Sequence, residues 1–259
     1  AIYAGGSVDL SAGTDFSVRV LVPDFDRGVA LLSDNERHPS GSQEARQFAR
    51  EQIAQTLESQ MRTPSYLAGR ATRQALFPPD DPSLRDATPQ SVRALSLNDV
   101  RAFYEKTFRP DMTTIVVIGK ITPEAARKVI ENYFGGWTAA GPMPPTDLPP
   151  APPNISSVIA VPDASRVQNS VSLSQNLALN RANPDFYALA LGDTVLAGGF
   201  YSTRLSIDLR KNSGLVYSVG SSLQIGRTRG AYVIQYACDP GNVVKAADMV
   251  RQEITTMKT

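Results

Sequence analysis

The chain has 259 residues, which points to one or two domains with room for a sizeable core. Its 26 basic and 25 acidic residues nearly cancel, so it carries no electrostatic footprint for nucleic acid or an anionic membrane surface. No apolar run approaches the ~20 residues of a membrane-spanning helix, and the single cysteine, Cys238, excludes an internal disulfide.

The opening Ala1-Ile2-Tyr3 has neither an initiator methionine nor a signal pattern, so the chain reads as an excised fragment. Residues 7–22 read as strands around a turn at Ser11-Ala12-Gly13-Thr14-Asp15, with Phe16, Val18, Val20 and Val22 alternating onto one face. A short helix with Val29, Leu31 and Leu32 follows. Asn35-Glu36-Arg37-His38-Pro39 then holds the one histidine, expected as a solvated loop side chain. Residues 42–62 form a helical pattern with Phe48, Ile53, Leu57 and Met61 on one stripe. Asp80, Asp81 and Asp86 lie in a proline-rich loop without calcium-loop spacing and read as solvated. Ser96 and Asp99 resemble a capping box opening a helix with Val100, Phe103 and Tyr104. Residues 115–118 read as a buried strand. Thr122 and Pro123 start a helix that ends at Gly135-Gly136-Trp137.

Residues 139–153 hold seven prolines and can sustain neither a helix nor a central strand. The expected organisation is a first unit at 1–138, a stiff linker at 139–155 and a second unit at 156–259. In the second unit, 157–161 and 167–173 read as strands, followed by a helix opened by Asn183-Pro184-Asp185-Phe186. Residues 201–209 read as helix, with Leu205 and Leu209 at i, i+4. Strands are expected at 216–223 and 231–238, with Cys238 a small buried apolar residue, and a closing helix at 242–258. Antiparallel-type strands mixed with amphipathic helices argue for an α+β fold.

Chemistry concentrates in Leu209-Arg210-Lys211-Asn212-Ser213-Gly214-Leu215-Val216-Tyr217. Arg210 and Tyr217 fall at a helix-to-strand junction, where a forked guanidinium and a phenol on a rigid ring can reach one bound chain. The same spacing also suits a sheet-edge arginine packed on a tyrosine. Gly198 and Gly199 either end a helix in a left-handed conformation or, with Gly214, let a substrate strand approach the backbone. No phosphate loop or nucleophile elbow is present, and Cys238 has no activating neighbour.

This stretch resembles the C-terminal-type domain of the pitrilysin/insulysin family, zinc peptidases with an inverted His-x-x-Glu-His motif. Gly198-Gly199-Phe200-Tyr201-Ser202-Thr203-Arg204-Leu205 is similar to the family's glycine-rich turn and Ser-x-x-Leu step. Residues 110–121 are similar to the strand that ends its N-terminal-type domain. The resemblance implies two tandem α/β-roll units, as in pitrilysin-like and mitochondrial-processing-peptidase-like proteins, with the first unit truncated at its N-terminus. It also implies that Arg210 and Tyr217 contact the substrate backbone. One histidine cannot supply a two-histidine zinc motif. The 42–62 helix corresponds to the one that supplies the family's third ligand. It carries Glu44, Glu51 and Glu58, but the family spacing falls near Thr56.

The expectation is therefore a non-catalytic half or subunit with no metal ligands or cofactor of its own, and zinc held only by a catalytic half. The expected partners are that catalytic half and an unfolded peptide substrate, with no nucleic acid and no membrane insertion. The alternative is a scaffold or assembly subunit of peptidase-like fold with no substrate role.

Overall fold

The computed structural model describes residues 9–11, 15–39, 43–199 and 201–258. The expected strand start at Ser7, turn residues 12–14, Ser42, Phe200 and Thr259 lie outside them. The fold is α+β, with two compact units. The first comprises residues 1–56 with 88–145; the second comprises residues 57–87 with 146–259. The partition does not follow the linear order, because residues 57–87 group with the C-terminal part of the chain.

In the first unit, β1 (Asp9–Ser11) pairs antiparallel with β2 (Ser17–Arg19), with Leu10 opposite Val18. Helix α1 (Phe25–Arg37) is followed by α2 (Gln43–Gln60), whose last residues belong to the second unit. After α3 (Pro64–Leu76) in the second unit come α4 (Pro89–Ala94), α5 (Leu97–Thr107) and α6 (Pro123–Phe134). The capping box that opens α5 is formed: the Asp99 backbone N–H donates to Ser96 Oγ, and the Ser96 N–H donates to the Asp99 carboxylate. Thr122 Oγ1 likewise accepts from the Ala125 N–H at the start of α6. The Ser33 hydroxyl and the Arg37 guanidinium both donate to the Tyr133 carbonyl, and the Tyr133 hydroxyl donates to Asp26, which fastens α1 to α6.

Two expectations fail in this unit. Residues 115–118 form no strand, and Val116 and Ile118 are 74% and 93% exposed. Their apolarity was read correctly, but a buried strand also needs a ladder partner for its backbone groups, and this segment has none among the described residues. The apolar stripe of α2 is not buried either: Phe48 and Ile53 are exposed, and Ala54 is the helix's buried residue.

The second unit is built on a sheet of order β3-β5-β4, all antiparallel, from β3 (Asn169–Leu177), β4 (Ser218–Ile225) and β5 (Gly230–Cys238). Helices α7 (Phe186–Leu196) and α8 (Val243–Thr256) contribute Leu196, Ala246 and Val250 to the core, where they meet Leu205, Leu209, Ile234 and Cys238. Full burial of Leu205 and Leu209 stabilises the unit by about 2 kcal/mol each. Residues 157–161, expected as a strand, are irregular, with Val158 almost fully exposed.

In the acidic loop Asp80 is exposed as expected, but Asp81 and Asp86 are not left to solvent. Asp81 is buried, forms a two-pronged ion pair with Arg229 at 2.9 Å and accepts from Ser83, while Asp86 pairs with Arg73. Burying Asp81 obliges it to find a charged partner. The partner lies almost 150 residues away, in the β4–β5 turn, which proximity in sequence could not disclose. Among the described residues, no helix is long and apolar enough to cross a membrane.

Candidate functional site

The segment carrying Arg210 departs from an ordinary helix. After one short α-turn, Ser206–Asn212 is π-helical, a wide turn found mostly as single insertions and frequently at functional sites. Leu205 and Leu209 anchor it in the core, so its exposed side is left to Arg210, Lys211 and Asn212. The Asp208 carbonyl accepts from the Ser213 N–H and hydroxyl, and the Leu209 carbonyl accepts from both Leu215 and Val216. Gly214, at φ +62°, makes the reversal that feeds β4, a left-handed position that glycine occupies without steric cost.

Neither Gly198 nor Gly199 has a positive φ, so the left-handed reading belongs to Gly214 instead. Gly198 is needed for space: a Cβ there would lie 2.6 Å from the Thr194 Cα. Around Gly199 that space is open. The Asp193 carbonyl accepts from the N–H groups of Ala197 and Gly198, and the Asp193 carboxylate accepts from the Ser221 hydroxyl of β4. The glycine turn is thereby tied to the strand that Tyr217 precedes.

Arg210 and Tyr217 are both exposed, and each is held by a different neighbour. The Arg210 guanidinium lies 4.2 Å from the centre of the Tyr201 ring, within cation–π range. The Tyr217 backbone N–H donates to the Ala237 carbonyl at 2.8 Å, and its hydroxyl lies 3.0 and 3.1 Å from the two oxygens of Asp239. That hydrogen bond, together with the nearby negative charge, pushes the Tyr217 phenol above its ordinary pKa. Arg210 therefore rests on Tyr201, rather than on Tyr217 as a bare arginine–tyrosine pair would have it.

Tyr201 and Asp239 were not singled out from sequence. Tyr201 adjoins the glycine turn, and Asp239 begins the Asp-Pro-Gly step after β5. Neither position carries a spacing signal that distinguishes it from an ordinary turn residue.

The donor set does not fit a catalytic zinc. The single histidine, His38, is exposed beside Asp34 at 3.3 Å. Among the described residues, no three metal-binding side chains cluster. Burial raises the pKa of Cys238, which suits a core residue and not an activated thiolate.

Residues 94–259 match the peptidase M16 inactive domain. An uncharacterized zinc protease of Mycobacterium leprae is 24% identical over 253 residues, covering 94% of this chain and 55% of that protein. The peptidase M16 inactive domain from Pseudomonas fluorescens superposes with a TM-score of 0.81 at 21% identity, over 97% of this chain and 62% of that one. The periplasmic protease PqqL from Escherichia coli gives 0.77 at 16% identity, over 96% of this chain and 28% of that one. At these identities the structural matches establish the fold alone. The chain spans little more than half the length of the Mycobacterium relative. With the family match covering most of its length, the chain belongs to the peptidase M16 inactive-domain family, the non-catalytic half of the pitrilysin-type zinc peptidases.

Proposed function

We propose that this chain serves as the non-catalytic half of a zinc metallopeptidase, enclosing an unfolded peptide and orienting it through Arg210 and Tyr217 towards a zinc held by a catalytic half. The catalytic half is either fused to this chain or a separate subunit. The observation that carries the reading is the pair of exposed, individually braced side chains at the junction of the π-helical turn and β4. Surface arginines and tyrosines are ordinarily mobile. Here a ring supports one and a carboxylate the other, so less freedom is lost when a ligand binds. Gly199 and Gly214, with open space where a Cβ would sit, leave the adjoining backbone accessible to an extended chain, which a sheet edge binds through main-chain hydrogen bonds. Gly198 is packed against Thr194 and serves the turn instead. A fixed donor at the substrate backbone helps hold the reacting carbonyl in attack geometry.

The test is hydrolysis of an unstructured fluorogenic peptide by the full-length protein carrying Arg210→Ala or Tyr217→Phe. Each is expected to lower kcat/KM by about tenfold, the scale of one lost charged or oriented hydrogen bond, with zinc content and melting temperature unchanged. Wild-type kinetics in both variants would favour the scaffold role.

A further inference from the structure

The hydrogen-bonding polarity of Tyr217 follows from its neighbours. Its hydroxyl lies 3.0 and 3.1 Å from the two oxygens of Asp239. An ionised carboxylate has no proton to give, so the phenol is the donor and its one proton is committed. A peptide carbonyl competes poorly for that proton, because hydrogen bonds to ionised acceptors are roughly twice as strong as neutral ones. With its proton given to Asp239, the phenol oxygen keeps its lone pairs to accept from another donor.

The backbone fixes this pair. Tyr217 immediately precedes the rung on which Ser218 of β4 faces Ala237 of β5, and Asp239 follows Ala237 by two residues. Tyr217 donates its N–H to Ala237, while the Asp239 carbonyl accepts from Asn242 at 2.9 Å. Between Ala237 and Asp239 sits the fully buried Cys238.

We propose that Asp239 is a positioning residue that fixes Tyr217 as a hydrogen-bond acceptor, so that the phenol oxygen receives a main-chain N–H of the bound peptide while Arg210 supplies donors to its carbonyls. This rests on the peptide-orienting role proposed above. An extended chain offers N–H and C=O groups in alternation, so a neighbouring acceptor and donor suit it better than two donors. A basic peptide side chain carries the same donor chemistry as the main-chain N–H, and the experiment separates these two sources.

The experiment compares the full-length wild type, Tyr217→Phe and Asp239→Ala on one unstructured fluorogenic peptide. It also uses the versions of that peptide N-methylated at single amides and a version with its lysines and arginines replaced by alanine. In the wild type, N-methylation at one amide near the cleaved bond is expected to lower kcat/KM by about three- to tenfold, one net hydrogen bond. Tyr217→Phe is expected to be slower on the parent peptide and indifferent to that N-methyl group. Asp239→Ala is expected to lose most of the discrimination while melting as a folded protein. A purely structural role for Asp239 would lower activity on all peptides alike and leave the discrimination in place, which would overturn the proposal. Equal sensitivity of wild type and Tyr217→Phe to every N-methylation would also overturn it, as would discrimination that follows the basic side chains instead. Those outcomes, with Tyr217→Phe still impaired on the parent peptide, leave the peptide-orienting role standing. Unimpaired cleavage by both Tyr217→Phe and Arg210→Ala removes that role itself.

Discussion

Asp81 shows how much a single charged side chain can hold in this molecule. Its two carboxylate oxygens each meet an Arg229 nitrogen at 2.9 Å, Ser83 donates to it twice, and the Arg229 guanidinium also lies over Phe77. The Arg229 hydrogen bonds, with help from Ser83, hold its carboxyl far below the usual range. A carboxylate with a depressed folded-state pKa stabilises the protein above its unfolded value of about 4, and that stabilisation is lost as pH falls below it. Asp81→Asn is therefore expected to cost about 3 kcal/mol at pH 7, since it takes the buried charged partner from a guanidinium only 13% exposed. Denaturant unfolding at pH 7 and pH 3 checks this: the gap between wild type and variant should narrow in acid, and a constant gap would refute the assignment. The sequence displayed Asp81 and Arg229 as separate loop residues. Only the fold brings them together, so the loop looked solvated.

At the scale of elements, the junction from the π-helical turn to β4 was legible in outline. The alternation from Val216 onwards and the Leu205/Leu209 pair located a helix-to-strand step correctly. The widened turn was not legible, because π-helical geometry arises from where Leu209 and Asp208 direct their carbonyls and leaves no periodic signature. Nor was the left-handed residue: three glycines were in view, and φ alone distinguishes Gly214 from Gly198 and Gly199. Gly214→Ala is expected to destabilise the protein by about 1 kcal/mol, because an alanine there meets the left-handed penalty. Gly199→Ala should be close to neutral, since a Cβ at that position meets nothing within 4 Å. Thermal melts of the two variants give the comparison, and equal melting temperatures would contradict it. The strands expected at 115–118 and 157–161 failed for a related reason: apolar content can be read from sequence, but the presence of a pairing partner cannot.

For the molecule as a whole, the α+β class and the family were legible, because composition, element order and the glycine-to-tyrosine stretch all pointed the same way. The assignment of residues 57–87 to the second unit was not, since it depends on long-range packing. Alkaline stability is a property of this core. Tyr236 is buried, donates to the Val243 carbonyl at 3.0 Å and has its pKa pushed up to about 12, chiefly by burial. A phenol with a raised folded-state pKa stabilises the protein below its unfolded value of about 10, and this contribution disappears as pH rises towards 12. Wild type should lose stability across that window more steeply than Tyr236→Phe in denaturant titrations, and parallel curves would argue against a native-state phenol.

The most direct measurement is hydrolysis of an unstructured fluorogenic peptide by the zinc-loaded catalytic half, supplied separately. It is assayed with this chain present, absent, or carrying Arg210→Ala together with Tyr217→Phe. Cleavage that requires the chain and falls sharply with the double substitution is the expected result. Cleavage by the catalytic half alone at the full rate, or full rescue by the doubly substituted chain, would contradict a peptide-orienting half.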